Sequence, residues 1–565
     1  MQNYDYGDDG ELTILPLGGL GEIGKNMMYI EYATDDSCDA IIIDTGIMFP
    51  ENDMLGIDYI IPDFQAIVDR FQHVRGVIIT HGHEDHTGAI AHVMDKVNAP
   101  IYTAQLTRGL IEVKLRSARL IDQVTLVTVH PNDTVKIGPF IVEFVHMCHS
   151  IPDSLGLGIT TPLGLIFHSG DFKFDHTPVD EKPPDFAKLA ELASRGVLLM
   201  FADSTNVNVP GWTPSEQVID QAFEEVFEEA EGRIIVSTFA SLISRIQQVV
   251  NAAKRHNRKV AVTGHSMVEN VKMARRLGYL DLPDTMMIDI GQINRTPHKE
   301  LVILTTGTQG EPSAALSRMS VGTHRNIDIV PGDTVIMSAQ SIPGNEELVS
   351  RTINKLFQRG ANVLYYGVAA VHVSGHAARE ELKLLHNLIR PQYFVPVHGE
   401  LRHLRAHAEL AQSLGMPKKN TVVVENGTPL TFTKDGYRVG ERIPGGYVFV
   451  DGSGVGDVGP AVMRDREVLG ASGFVIVNVV IDEETNELIY DPLILSRGFV
   501  YLREAEELLS GAADEVERVV DKHNRNNGSN GRSPSLSNEI ERALDKYIYK
   551  ATHRRPMIFA IVNRV

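Results

Sequence analysis

Six consecutive residues, His81-Gly82-His83-Glu84-Asp85-His86, carry three imidazoles and the Asp85 carboxylate at metal-ligand spacing. Neutral imidazole and carboxylate suit Zn²⁺ or Mn²⁺. An H-x-H-x-D-H run arises by chance in a chain this long with a probability on the order of 10⁻³, so a merely solvated loop is a poor account of it. Three further donors follow apolar runs: His149 in His149-Ser150-Ile151-Pro152-Asp153-Ser154, Asp171 in His168-Ser169-Gly170-Asp171-Phe172-Lys173, and His398 in Pro396-Val397-His398-Gly399-Glu400. A lone His after a strand is usually a satisfied core or surface residue. The joint pattern of seven donors instead points to metal-assisted hydrolysis.

Such donors need rigid elements beneath them. Short β-branched runs recur and often end in Gly, Asp or His: Ala40–Ile43, Gly76–Thr80, Gly164–Phe167, Val197–Phe201, Arg233–Thr238, Lys259–Thr263, Glu300–Leu304, Thr334–Met337 and Asn362–Tyr366. Near-continuous apolar strands predict sheets covered on both faces. Leu12–Pro16, Met27–Tyr32 and Ala40–Ile43 lie too close together for intervening helices, which predicts antiparallel hairpins. Between Pro210 and Gly367 strands alternate with helix-like stretches (Ser215–Glu231, Leu242–Arg255, Met267–Leu277, Asn345–Arg359). That alternation predicts βαβ units and a largely parallel sheet. Gly440–Asp465 is rich in Gly, Asp and Val and reads as a linker or wrapping loop. A smaller unit follows, with strands Gly473–Ile481 and Glu487–Ser496, a helix Arg503–His523, a mobile Asn/Gly/Ser-rich stretch Asn524–Ser537, a helix Asn538–Ala551 and a last strand Pro556–Val562.

The chain has 565 residues, room for about three or four domains of roughly 150 residues. Its net charge of −20, from 73 acidic and 53 basic residues, excludes a uniformly basic surface for nucleic acid. A polyanionic substrate would have to meet local positive potential: a metal, a phosphate-binding loop or a lined channel. No apolar run reaches the roughly 18 residues of a membrane span. Met1–Glu11 is acidic and polar, unlike a secretory leader. Only Cys38 and Cys148 are present, which excludes a disulfide framework and fits a reducing cytoplasm. Cys148 reads as a buried structural thiol.

The order H-x-H-x-D-H, distant His, Gly-Asp, distant His is that of a dinuclear metallo-β-lactamase-type site. With it come Leu17-Gly18-Gly19 and Glu22-Ile23-Gly24-Lys25-Asn26, Phe201-Ala202-Asp203-Ser204-Thr205-Asn206, Thr306-Gly307-Thr308-Gln309-Gly310-Glu311-Pro312, Pro343-Gly344-Asn345-Glu346 and Val373-Ser374-Gly375-His376-Ala377. On these motifs the sequence resembles ribonuclease J, of the β-CASP group within the metallo-β-lactamase superfamily, from about Leu12 to Val565. The resemblance implies an α/β protein: a metallo-β-lactamase αββα sandwich, an inserted β-CASP α/β domain and a small α+β C-terminal domain. The boundaries expected are 1–209 and 369–439 for the two parts of the metallo-β-lactamase domain, 210–368 for the β-CASP domain, 440–466 for a linker and 467–565 for the C-terminal domain.

The resemblance also implies roles. One metal is held by His81, His83, His149 and Asp171, a second by Asp85, His86, His398 and a bridging Asp171. Two divalent ions, Zn or Mn, about 3.5–4 Å apart can generate a nucleophile and clamp a phosphodiester oxygen. Asp85 both ligates and orients the nucleophile. Asp44, in Ile43-Asp44-Thr45-Gly46, supports the ligand loop. Asp203 and His376 match the family's proton-transfer positions, and a 3′ oxygen leaves poorly until protonated. Ala240, Ser241 and Leu242, with His372, Val373, Ser374, Gly375 and His376, match segments that contact RNA and seat a 5′-monophosphate; both precede helices, whose N-termini favour anions. Two departures stand out: Leu242-Ile243-Ser244 where Asn and His are usual, and Gly264-His265-Ser266 where Gly-Arg-Ser is usual. His265 in place of Arg removes a permanent charge near the RNA path. Asp451, with the loop near Leu55 and Ile57, matches a structural calcium site of some family members.

The activity implied is 5′-to-3′ exonucleolytic and internal cleavage of single-stranded RNA with a 5′-monophosphate end, in rRNA processing and mRNA decay. A cytoplasmic homodimer or tetramer with RNA-decay or ribosome-associated partners and no membrane association goes with it. A DNA nuclease of the superfamily would share the metal site. A small-molecule metallo-hydrolase would lack the insert, and a noncatalytic RNA scaffold would have lost ligands.

Overall fold

The computed structural model describes residues 10–51, 53–342, 344–499, 506–526 and 535–565. Residues 1–51 with 59–448 form one compact unit, and residues 52–58 with 449–565 form a second.

The first unit is built on two sheets and an inserted third. The first sheet runs in the order Gly436–Val439, Leu430–Thr433, Glu11–Gly18, Met27–Ala33, Cys38–Ile43, Val74–Ile78, Ile101–Thr103, Leu126–Thr128. Its early strands pair antiparallel, as the tight spacing predicts, and its later ones parallel. The second sheet runs Tyr393–Val397, Val197–Asp203, Gly164–His168, Leu155–Thr161, Phe140–His146, Thr134–Ile137. Successive side chains point to opposite faces, and here both faces are apolar. Ile41 and Ile43 of the first sheet join Phe144, Leu157, Leu199, Phe201 and Val395 of the second in one core. Ile42 faces the other way, into a core with Ile111 and Leu115 of helix Gln105–Ser117. Met200 and Ala202 likewise pack with Leu382 and Leu385 of helix Arg379–Ile389. Helix, sheet, sheet, helix is the αββα sandwich.

The insert carries a six-stranded sheet in which every named pairing is parallel: Met287–Ile288, Lys259–Val262, Leu301–Thr305, Ile234–Ser237, Thr334–Met337, Asn362–Tyr365. Helix His265–Leu277 of the insert packs against helix Gln105–Ser117 of the sandwich. A Cβ on Gly109 would lie 2.6 Å from Met273 Sδ, so the glycine lets the two helices approach closely without moving the Met273 and Leu277 side chains.

In the second unit, strand Phe474–Ile481 lies between Leu493–Arg497 and Met557–Arg564. Its alternate residues Val475, Val477, Val479 and Ile481 form a core with helices Glu506–Asn526 and Leu536–Thr552. The linker expected over 440–466 is not featureless. It contains strand Tyr447–Asp451 and the start of helix Pro460–Ser472, where proline at the first helical position is preorganised by its fixed φ. The expected mobile stretch falls largely outside the described residues, and its ends, to Asn526 and from Leu536, are helical. No helix among the described residues is long and apolar enough to cross a membrane.

Candidate metal centre

Every proposed ligand lies just beyond the C-terminal end of a core strand, in the turn that follows, or on the short helix Glu84–Thr87. His81, His83, Asp85 and His86 follow Val74–Ile78, His149 follows Phe140–His146, Asp171 follows Gly164–His168 and His398 follows Tyr393–Val397. Asp203 ends its own strand. The chain turns sharply at two of these points. Asp44 and His398 have φ of 59° and 54°, left-handed conformations that cost non-glycine residues about 1–3 kcal/mol and cluster at functional sites.

The seven donors converge. His83 Nδ1 lies 3.1 Å from both His81 Nε2 and His149 Nε2. Asp171 Oδ2 lies 3.7 Å from His81 Nε2 and 3.8 Å from His149 Nε2. Four ligands about 2.0–2.1 Å from a tetrahedral cation stand about 3.4 Å from one another, so these spacings fit one ion. On the other side, Asp171 Oδ2 lies 3.2 Å from His86 Nε2 and 3.4 Å from His398 Nε2. Asp85 Oδ2 is 3.0 Å from His398 Nε2 and 3.5 Å from His86 Nε2. One oxygen of Asp171 therefore faces both groups and can bridge two cations.

Partners behind the rings fix which nitrogen is bare. His86 Nδ1 donates to Asp44 Oδ2 at 2.7 Å, and His149 Nδ1 donates to the Gly375 carbonyl at 2.7 Å. Thr80 Oγ1 gives its proton to Asp44 at 2.9 Å and so accepts from His81 Nδ1 at 3.1 Å. Thr205 Oγ1 gives its proton to Asp203 Oδ1 at 2.8 Å and accepts from His398 Nδ1 at 2.7 Å. Each of these four rings thus turns its Nε2 toward the shared centre, an arrangement that fixes ring orientation and raises ligand basicity when a metal is bound.

The charges fit a cation. Burial drives His81 and His149 well below the ordinary histidine range and His83 to about 4, so these three rings stay neutral. Burial also opposes charge on His86 and His398. There Asp171, assisted by Asp85, wins: it holds His86 well above its usual range and His398 at about 9. Burial would raise the Asp85 and Asp171 carboxyls, but facing imidazoles hold both well below it. Two ionised carboxylates in a buried pocket stabilise positive charge, and the donor set fits a pair of divalent ions.

Beside the ligands, His376 Nδ1 donates to Asp203 Oδ2 at 2.7 Å. The ring stands 5.0 Å from that of His149 and 5.3 Å from that of His398. Burial depresses the His376 imidazolium, but the Asp203 carboxylate outweighs this and raises it above the ordinary value. Its side chain keeps 21% exposure, against 1% for Asp203, so His376 faces the open side.

The segment 372–376 is firmly held. Asn206 Nδ2 donates to Ser374 Oγ and to the His376 carbonyl, which also accepts from Thr213 Oγ1. A Cβ on Gly375 would stand 2.6 Å from His149 Nδ1, so this loop touches the ligand sphere through a glycine. Val373 is buried, and His372 Nδ1 is buried without a hydrogen-bond partner. Ala240 and Ser241 are half-buried before helix Ile243–Arg255, whereas the Leu242 side chain turns into the core of the insert. His265 is exposed at the first position of its helix.

At the expected calcium position the chain supplies a cation of its own. The Leu55 carbonyl accepts from Arg466 Nη1 at 2.9 Å, and the Asp451 carboxylate is paired with Arg466 Nη2. Ile57 is a buried apolar residue. The Arg466 guanidinium thus occupies the Leu55 carbonyl and one of the two Asp451 oxygens. Cys148 is a buried thiol pushed up to about 12 by burial. Sequence reasoning missed Thr80 and Thr205, whose hydroxyls orient ligands. Their only signal was adjacency to the His81 and Asp203 motifs.

Comparison with known families agrees with this geometry. Residues 40–194 match a beta-lactamase superfamily domain, 231–356 the ribonuclease J beta-CASP domain, 364–424 a Zn-dependent metallo-hydrolase RNA specificity domain and 461–565 the ribonuclease J C-terminal domain. Fold and site together define a metallo-hydrolase of the metallo-β-lactamase superfamily with a β-CASP insertion. The chain is 38% identical to ribonuclease J2 of Bacillus subtilis over 98% of its length and 99% of that relative. It is 41% identical to ribonuclease J 1 of Streptococcus pyogenes (98% and 97% covered) and 41% identical to ribonuclease J of Synechocystis (98% and 86%). The chain belongs to the ribonuclease J family. A solved Enterococcus faecalis protein of unknown function covers 75% of the chain at TM-score 0.52 and 16% identity, a likeness of fold alone.

Proposed function

We propose that this protein is a metal-dependent ribonuclease that degrades single-stranded RNA from a 5′-monophosphate end and also cuts internally. The observation that carries this reading is the convergence of seven ligand atoms beneath the Asp203–His376 pair. His81, His83, His149 and Asp171 would hold one divalent cation, Zn²⁺ or Mn²⁺, and Asp85, His86, His398 and Asp171 the other. Such a pair supplies Lewis acidity to the scissile phosphate and an activated water at neutral pH. Asp85, partly open to solvent, would orient the nucleophile. Asp203 holds the Nδ1–H of His376, leaving Nε2 to give its proton to the departing 3′ oxygen as the P–O bond breaks. The N-terminal end of helix Ile243–Arg255, with the loops 240–242 and 372–376, would seat the terminal phosphate; the N-terminal N–H groups of helix Arg379–Ile389 are taken by Val209, Gly211 and the Glu381 carboxylate. That lets a chain of net charge −20 engage RNA locally.

The domain limits follow the same reading: a metallo-β-lactamase domain in two parts, 1–209 and 369–439, interrupted by a β-CASP domain, 210–368, and followed by a C-terminal domain. We place the enzyme in the cytoplasm as a homodimer. Supporting self-association, Leu493, Leu495, Phe559 and Ile561 expose one apolar face of the C-terminal sheet, where Leu495, Ile476 and Phe559 lie in one cross-strand row. Sedimentation of a Leu495→Asp/Phe559→Asp variant should give a monomer; an unchanged mass would reject this face.

The decisive assay incubates the protein with 5′-monophosphate or 5′-triphosphate RNA, and with DNA of the same sequence, in Mn²⁺, Zn²⁺ or EDTA. Mononucleotides should be released fastest from the monophosphate RNA, and none in EDTA. Equal cleavage of DNA would favour a deoxyribonuclease.

A further inference from the structure

Lys173, Glu216 and Arg245 form a second buried polar cluster, with side chains 1%, 5% and 1% exposed. Arg245 uses each donor nitrogen. Its Nε donates to Gln248 Oε1 at 2.8 Å, its Nη2 to Glu216 Oε2 at 2.5 Å, and its Nη1 to Ser338 Oγ and, at 2.8 Å, to the Val371 carbonyl. Ser338 Oγ donates to the same carbonyl at 2.7 Å. Glu216 Oε1 lies 3.6 Å from Lys173 Nζ, which also donates to the Pro214 carbonyl at 3.2 Å. Lys173 stands two residues past Asp171, and its backbone N–H binds the carbonyl of Cys148, next to His149.

Burying ions costs several kcal/mol each, and apolar replacements of similar volume are often no less stable. Stability is therefore a weak reason for this cluster. Its layout suggests another. It links three parts: the ligand segment 171–173, the insert through Glu216, Arg245 and Ser338, and Val371 at the root of the loop that carries Gly375 and His376.

We propose that Arg245 is a positioning residue for proton delivery: by clamping Val371 to Ser338 and Glu216, it sets where His376 stands beside the metal ligands. This rests on the reading of His376 as the group that protonates the leaving 3′ oxygen. A misplacement of about 1 Å can cost about 10²-fold in rate. On Arg245 loss, Nε2 of His376 would no longer line up with the breaking bond.

The test compares two RNAs identical except at one scissile linkage, an ordinary phosphodiester or a 3′-S-phosphorothiolate. The thiolate leaves without a proton, so a fault in proton delivery is bypassed. Single-turnover rates are measured for wild type, His376→Gln and Arg245→Met, with melting temperature and bound metal determined on each protein. His376→Gln should lose about 10²–10⁴-fold on the ordinary linkage and recover most of it on sulfur. Arg245→Met should lose about 10–100-fold and recover likewise, with both metals retained. Arg245→Lys keeps the charge but cannot serve all four acceptors; it should behave the same way and stands in if the Met variant does not fold. Equal loss on both linkages, or no loss on either, overturns the role of Arg245. If His376→Gln is not rescued by sulfur, the reading of His376 itself fails.

Discussion

Two buried polar centres lie close together in this fold and differ in how their charge is settled. In the Lys173–Glu216–Arg245 cluster, cations and carboxylates are both supplied by the chain. In the metal centre, the neutral imidazoles of His81 and His149 bring their Nε2 atoms to 3.1 Å from His83 Nδ1, three ring nitrogens gathered around one point. One centre supplies both signs of charge from the chain itself; the other is shaped for ions the chain does not carry. The difference teaches that burial alone does not mark a functional site. Buried donors that lack a complementary charge do.

That contrast can be broken experimentally. The largest effect should come from His83→Ala, which removes the nitrogen shared by His81 and His149. RNA cleavage should fall by about 10³-fold or more, while circular dichroism stays native because His83 is only half-buried. Near-normal activity would dissolve the distinction between the two centres. Asp44→Asn comes next. It weakens the acceptor for His86 Nδ1, so metal affinity measured by chelator competition should fall about 10–100-fold, with the protein folded. Unchanged affinity would show that Asp44 does not orient His86.

The third test concerns another buried group, His386, which pairs with His407 at 3.1 Å away from the metals. Burial lowers the His386 pKa from 6.5 to about 4 and that of His407 further. Between these two pH values the unfolded chain binds protons that the folded one does not, so stability falls as pH falls from 6.5 towards 4. His386→Gln should flatten this decline by on the order of 2 kcal/mol in denaturant melts across that range. A slope equal to that of wild type would mean that His386 titrates normally in the folded protein.

Some of the molecule was legible before folding because local rules govern it. Alternate-face burial of Ile41, Ile42 and Ile43, and of Leu199, Met200 and Phe201, follows from a period-two backbone with apolar residues on both faces. The βαβ rhythm of the insert is equally local. The region 440–466 misled because Gly and Asp dominate it, yet Pro460 starts a helix there. Leu242 was expected at the substrate loop, but its apolar side chain is drawn into the insert's core. Leu55 and Asp451 were expected to face calcium, and Arg466, distant in sequence from Leu55, meets both instead.

By itself, the sequence determined the kinds of donors and the strands after which they come, since ligand chemistry and hydropathy are written residue by residue. Only the tertiary structure decided that one oxygen of Asp171 faces both ligand groups, that Thr80 and Thr205 turn the Nε2 atoms of His81 and His398 inward, and that Arg245 reaches Val371. Those facts depend on distances between segments up to hundreds of residues apart, and such distances are fixed by how sheets and helices pack, not by any local run of residues.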